Sequence, residues 1–169
     1  MLELKRISKA ALPAALAKAE RYRLLNEPEQ AESICRDVLA IEPSHQGALV
    51  TLLLSVTDQF RAQSVTCVRR AEEVLAEVAD PYQRVYYDGI IRERWALALL
   101  EAGDAGHQAF QWLDDAMKLY EDAAERAAEG NDDAILRWNS CARIISRDKL
   151  HGDHGAGSVI DDGDGAPHR

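Results

Sequence analysis

Long hydrophobic runs are what this chain of 169 residues most plainly lacks. No stretch reaches the roughly 18 consecutive apolar residues a bilayer-spanning helix needs. The opening stretch, MLELKRISKAALPAALAKAERY, breaks its apolar residues with Glu3, Lys5, Arg6, Lys9 and Lys18, so it lacks the core of a secretory signal. Positive charge is also short: 20 Lys and Arg stand against 29 Asp and Glu, a formal net charge of −9. That balance argues against general nucleic-acid binding, which works by neutralising phosphates, and against adhesion to anionic membranes. Cysteine is sparse. Cys35, Cys67 and Cys141 lie far apart inside apolar helical patterns, with no CxxC or Cys/His spacing, and read as reduced thiols used as small core residues rather than as reactive thiols or metal ligands. Glycine-rich phosphate loops, HExxH and GxSxG are all missing, so no reaction, cofactor or metal is signalled. These absences together point to a non-enzymatic cytoplasmic protein.

What is present is an ordinary soluble balance, 47% apolar and 29% charged, in a length that suits one domain with a sizeable core. Aromatics at only 6%, beside heavy use of Ala and Leu, favour helix over sheet. The helical spacing runs over residues 1–150. Residues 151–169, HGDHGAGSVIDDGDGAPHR, have no bulky periodicity and are expected to be a disordered Gly/Asp/His-rich tail. His151, Asp153 and His154, with Asp161, Asp162 and Asp164, are metal-ligating residue types, but a glycine-rich tail fixes no geometry for them.

Seven helices follow from the pattern. The first starts at Leu12–Pro13, where proline is tolerated in an opening turn, and runs to Leu25 with Leu12, Leu16, Ala19 and Tyr22 on one side. A turn at Asn26–Gln30 leads to the second, Pro28 to Ile41, which buries Ala31, Ile34, Cys35, Val38 and Leu39. Ser44 serves as N-cap of the third, which carries Leu49, Leu52, Leu53 and Val56. Extra residues around Asp58–Ser64 form either a longer helix or a surface loop before the fourth, Val65 to Ala79. The fifth and sixth span Tyr82–Ala102 and Ala109–Glu129, with Gly130 as C-cap, and the seventh spans Asp132–Arg147 with Asn131 as N-cap.

The order Ala19, Tyr22, turn, Ala31, Cys35, Val38, Pro43 resembles the tetratricopeptide repeat, a helix–turn–helix unit that stacks into a superhelix. The resemblance is closest over residues 12–43, weaker over 46–79, and loosest over 82–129, where both helices exceed repeat length. It implies an all-α stack of about three antiparallel helix pairs, a solenoid closed by a C-terminal capping helix.

It also implies a role, the binding of a peptide or helix of a partner protein in a concave groove lined by the first helix of each pair. The groove positions fall on Leu16, Glu20 and Arg23, then Val50, Leu54 and Asp58, then Ile90, Glu93 and Leu97. Family members that clamp a terminal carboxylate place Lys and Asn at positions held here by Leu16, Glu20, Val50 and Leu54, so no such clamp is expected. The expected groove is mostly apolar with mixed charge at its rim. Two alternatives stay open. One is a self-associating subunit, possible as a homodimer, whose groove is filled by its own last helix or a second copy. The other is a small-ligand site or enzyme built on Asn131, Asp132, Arg137, Asn139 and Arg143, residues that would equally complement the dipole of the last helix.

Overall fold

A computed structural model describes residues 2–62, 66–103 and 106–152. Among them the chain is all-α, with seven α-helices and no strand. They are α1 (Leu12–Leu24), α2 (Pro28–Leu39), α3 (Gln46–Asp58), α4 (Thr66–Leu75), α5 (Pro81–Glu101), α6 (Gly106–Arg126) and α7 (Asp133–Asp148). Single 3-10 turns precede α1 at Lys9–Ala11 and follow α3 at Phe60–Ala62.

Each helix packs against the next, and α3 also touches both α1 and α5. The reason lies in the spacing of small residues. Ala31, Cys35 and Val38 recur every three or four positions on α2 and are all fully buried, as is Ala19 opposite them on α1. Helix α3 is apolar almost all round, with Leu49, Leu52, Leu53 and Val56 inside, because it has neighbours on several sides. All three cysteines are buried free thiols, and burial pushes Cys35 and Cys141 up to about 12, which makes them packing residues.

Two large buried clusters and a small one, of Leu12, Val38 and Ala48, share the interior. The first joins α1–α4 to Ile91 and Trp95 of α5, with Phe60 edge-on to Trp95 at 5.7 Å. The second lies between α5, α6 and α7 around Tyr120, Leu113 and Cys141. Gly89 is the close-approach point: a Cβ there would stand 2.6 Å from the Tyr120 ring. Leu54 packs against both clusters.

Several boundaries differ from the sequence expectation. Pro43 and Ser44 belong to a turn closed by His45 N–H donating to Glu42 O at 3.1 Å, so the N-cap of α3 is His45, whose Nδ1 accepts from Ala48 N–H at 3.2 Å. Helix α2 stops at Leu39 rather than Ile41, because Ile41 N–H turns back to Val38 O at 3.0 Å. Helix α4 stops at Leu75, although Val78 beyond it stays buried. Helix α6 begins three residues earlier and ends at Arg126, which leaves Gly130, at φ 83°, in the following turn instead of at a C-cap. The N-cap of α7 is Asp132; Asn131 instead accepts from Asp133 N–H through its own side chain at 3.2 Å. In the enlarged turn, α3 ends at Asp58 and a 3-10 turn follows, while residues 63–65 lie outside the described residues. The tail from residue 153 onward also lies outside them.

Candidate functional site

The C-terminal turns of α1 and α3 meet the second half of α5 along one face, and they meet through charge. Arg23 of α1 donates through Nε to Asp58 Oδ2 of α3 at 2.8 Å. Arg94 of α5 reaches the other oxygen of the same carboxylate, and its Nη1 also donates to Thr57 Oγ1 at 2.6 Å and to Leu54 O at 3.2 Å. Leu54 O lies about one turn from the C-terminal end of α3 and also accepts from the Thr57 hydroxyl at 2.9 Å, so Arg94 there sits at the end of the helix whose dipole favours a cation. The three side chains border an open cavity of about 370 Å³ together with Leu24, Asn26, Phe60, Arg61 and Leu97.

A second polar group sits deeper, between α5, α6 and α7. Glu93 is 2% exposed. Its Oε2 accepts from the Tyr120 hydroxyl at 2.5 Å and its Oε1 from Arg137 Nη1 at 3.2 Å. Burial pushes the Tyr120 phenol strongly upward, and the neighbouring Glu93 carboxylate adds to it, so Tyr120 stays a neutral donor. Burial works against the charge on Arg137, but Glu93 and the Tyr86 hydroxyl outweigh it and the net direction is upward. This arrangement fastens α7 to the α5/α6 pair. A third polar junction lies near α2, where Glu32 takes bonds from Arg36 at 2.7 Å, from Gln59 at 2.8 Å and from Arg70.

The expected groove residues separate into distinct groups. Arg23, Asp58 and Leu97 converge on the cavity. Ile90 and Glu93, at 1% and 2% exposure, are interior and offer no surface to a partner. Leu16 packs into a small cluster with Leu12, Val38 and Ala48, and Leu54 bridges the two larger clusters. Val50 is half-buried and Glu20 exposed. The lining is therefore more charged than the expected apolar trough, since three of the predicted apolar residues, Leu16, Leu54 and Ile90, are used in packing.

The secondary polar set does not converge either. Arg137 turns inward to Glu93, whereas Asn131 bonds its own helix start, Asp132 and Arg143 are exposed and Asn139 is half-buried. Helix α7 makes its main contact with α6 and leaves the cavity between α1, α3 and α5 open.

Arg94 is the residue sequence reasoning missed. The stripe on α5 reads Ile90, Arg94, Leu97, whereas the expectation took Glu93, one residue and about 100° away. The signal was available in the i, i+4 spacing already used for Val50 and Leu54 on α3. Comparison with family models, with curated proteins and with solved structures finds no match to this chain. No helix among the described residues is long and apolar enough to cross a membrane.

Proposed function

We propose that the chain is a tetratricopeptide-like interaction scaffold of the cytoplasm, without catalytic activity. In this reading α1/α2, α3/α4 and α5/α6 stack as three antiparallel pairs, α7 covers the end of the stack, and the face made by α1, α3 and α5 captures a segment of a partner protein. One observation carries it. Three helices separated in sequence bring Arg23, Asp58 and Arg94 to one open cavity, with Leu97 and the 88%-exposed Leu24 beside them. Charged groups flanked by apolar side chains on a rigid helical face are what peptide recognition uses.

The test is affinity capture from the native extract with the wild-type chain and with Leu97→Asp. Leu97 is the suitable position because it lines the cavity and is not among the side chains packed on either large cluster, whereas Leu54 is. A partner retained by the wild type and lost by a folded Leu97→Asp supports the reading. Equal retention by both contradicts it.

Self-association is the alternative reading, favoured by the exposure of Leu24, Leu25, Ile135 and Leu136. Light scattering separates the two, since a stable dimer that Leu97→Asp dissociates places a second copy on this face.

A further inference from the structure

The charges of the cavity indicate what kind of segment it takes, an inference that rests on the peptide-binding reading above. Two guanidinium groups share a single carboxylate, because Asp58 receives Arg23 on one oxygen and Arg94 on the other. Arg94 commits one nitrogen, Nη1, to all three of its acceptors, so among the described residues its Nε and Nη2 have none. Arg23 likewise donates through Nε alone. These spare N–H groups are open to a ligand rather than sealed, since the one fully buried side-chain polar atom lacking a partner among the described residues is Tyr82 Oη.

Positive charge is in surplus at this spot. Asp58 is the single acidic residue of a lining that also holds Arg23, Arg61 and Arg94, and the partner of Arg61, Glu101 at 2.6 Å, lies outside it. The Arg94 side chain is only 22% exposed. Burial lowers its pKa, and the like charges of Arg23 and Arg137 add to that against the pull of Asp58 and Glu93. A half-desolvated guanidinium with two unused donors and cationic neighbours is stabilised by one more carboxylate, which can accept two parallel N–H bonds.

We infer that the cavity binds an acidic segment of the partner protein, seating an Asp or Glu side chain against the free edge of Arg94 beside Arg23, with an apolar neighbour over Leu97 and Leu24. The residues at the terminal-carboxylate clamp positions, Leu16, Glu20, Val50 and Leu54, do not line this cavity, and Leu54 enters only through its carbonyl as an acceptor for Arg94. The net charge of −9 sharpens the specificity, because the rest of the acidic surface repels an acidic peptide that fails to reach the arginines.

The test follows the arginine Nε–H resonances of the full chain by NMR during titration with a capped peptide of alternating Glu and Leu, and with its Gln-for-Glu twin. The Glu peptide is expected to shift Arg23 and Arg94, to bind at least about tenfold more tightly than the Gln twin, and to weaken as salt is raised. Arg94→Gln and Arg23→Gln should each remove about tenfold or more of that affinity. Arg94 also holds the end of α3 through three bonds, whereas Arg23 makes one, so Arg23→Gln keeps the test decisive if the first variant unfolds. Equal binding of the two peptides would overturn acid recognition while leaving peptide binding in place. So would a partner captured through Leu97 whose binding ignores both arginine variants. If replacing Asp161, Asp162 and Asp164 by Asn shifts Arg23 and Arg94 with no peptide present, the occupant is this chain's own C-terminal segment, and the partner assignment falls.

Discussion

The α1/α2 pair and the α5/α6 pair solve the same packing problem in opposite ways. Helices α1 and α2, of 13 and 12 residues, meet through Ala19, Ala31 and Cys35, small side chains that let the backbones approach. Helices α5 and α6 are 21 residues each and enclose a full-sized aromatic, Tyr120, which fits only because Gly89 leaves room for its ring. That ring carries a hydroxyl into the interior, and the hydroxyl is matched by Glu93, which in turn requires Arg137 from α7. A purely apolar interface can be extended by any similar neighbour. An interface containing a buried acid must supply specific partners from a third helix, so α5, α6 and α7 are bound as one unit.

The largest test of that contrast is Tyr120→Ala. Loss of a fully buried aromatic is expected to cost about 3–5 kcal/mol in urea unfolding, whereas Val38→Ala, at an equally buried position near the first pair, should cost only about 2 kcal/mol. Similar costs at the two positions would erase the distinction. Tyr120→Phe keeps the ring and removes only the donor to Glu93, and should cost about 1.5–3 kcal/mol because the acceptor is a charged group.

Gly89→Ala comes next. Glycine to alanine inside an exposed helix stabilises by about 1 kcal/mol. Here the new methyl meets the Tyr120 ring, and a net loss of about 1–3 kcal/mol is expected. A stabilised Gly89→Ala would mean that the ring has space to retreat.

The smallest effect is pH-dependent and belongs to the first half of the molecule. Burial alone would raise the Glu32 carboxyl, but Arg36, Gln59 and Arg70 outweigh it and hold the group below its ordinary value of 4.5. A depressed acid contributes stability above its unfolded pKa and loses it as pH falls toward the folded value. Wild type should therefore lose more stability than Glu32→Gln between neutral pH and the range below 4.5, as measured by urea midpoints at each pH. Parallel losses would show that Glu32 is not held by its partners.

The same contrast explains how much of the molecule the sequence disclosed. The number and order of the helices were legible, because Pro13 and Pro28 mark openings and Ala31, Cys35 and Val38 mark a buried stripe. Arg23, Asp58 and Leu97 came from the groove positions that the repeat resemblance implies, and the three line one cavity. Ile90 and Glu93 were misplaced because both were taken from the groove positions of the repeat, and for Glu93 only the position of Tyr120, 27 residues away, shows that the carboxylate is interior. Arg94 escaped notice because its partners, Leu54, Thr57 and Asp58, come from another helix and leave no local pattern. The capping errors at Ser44 and Gly130 have a simpler cause, since a turn residue near a helix end looks the same in sequence whether it lies at the cap or a few residues beyond it.

The most direct measurement is site-specific photo-crosslinking in native extract, with the photoreactive residue placed at Leu97 in one sample and at exposed Glu125 of α6 in another. Capture of a partner on the face shared by α1, α3 and α5 predicts a discrete adduct from Leu97 and none from Glu125. An adduct from Glu125 with none from Leu97 would contradict it.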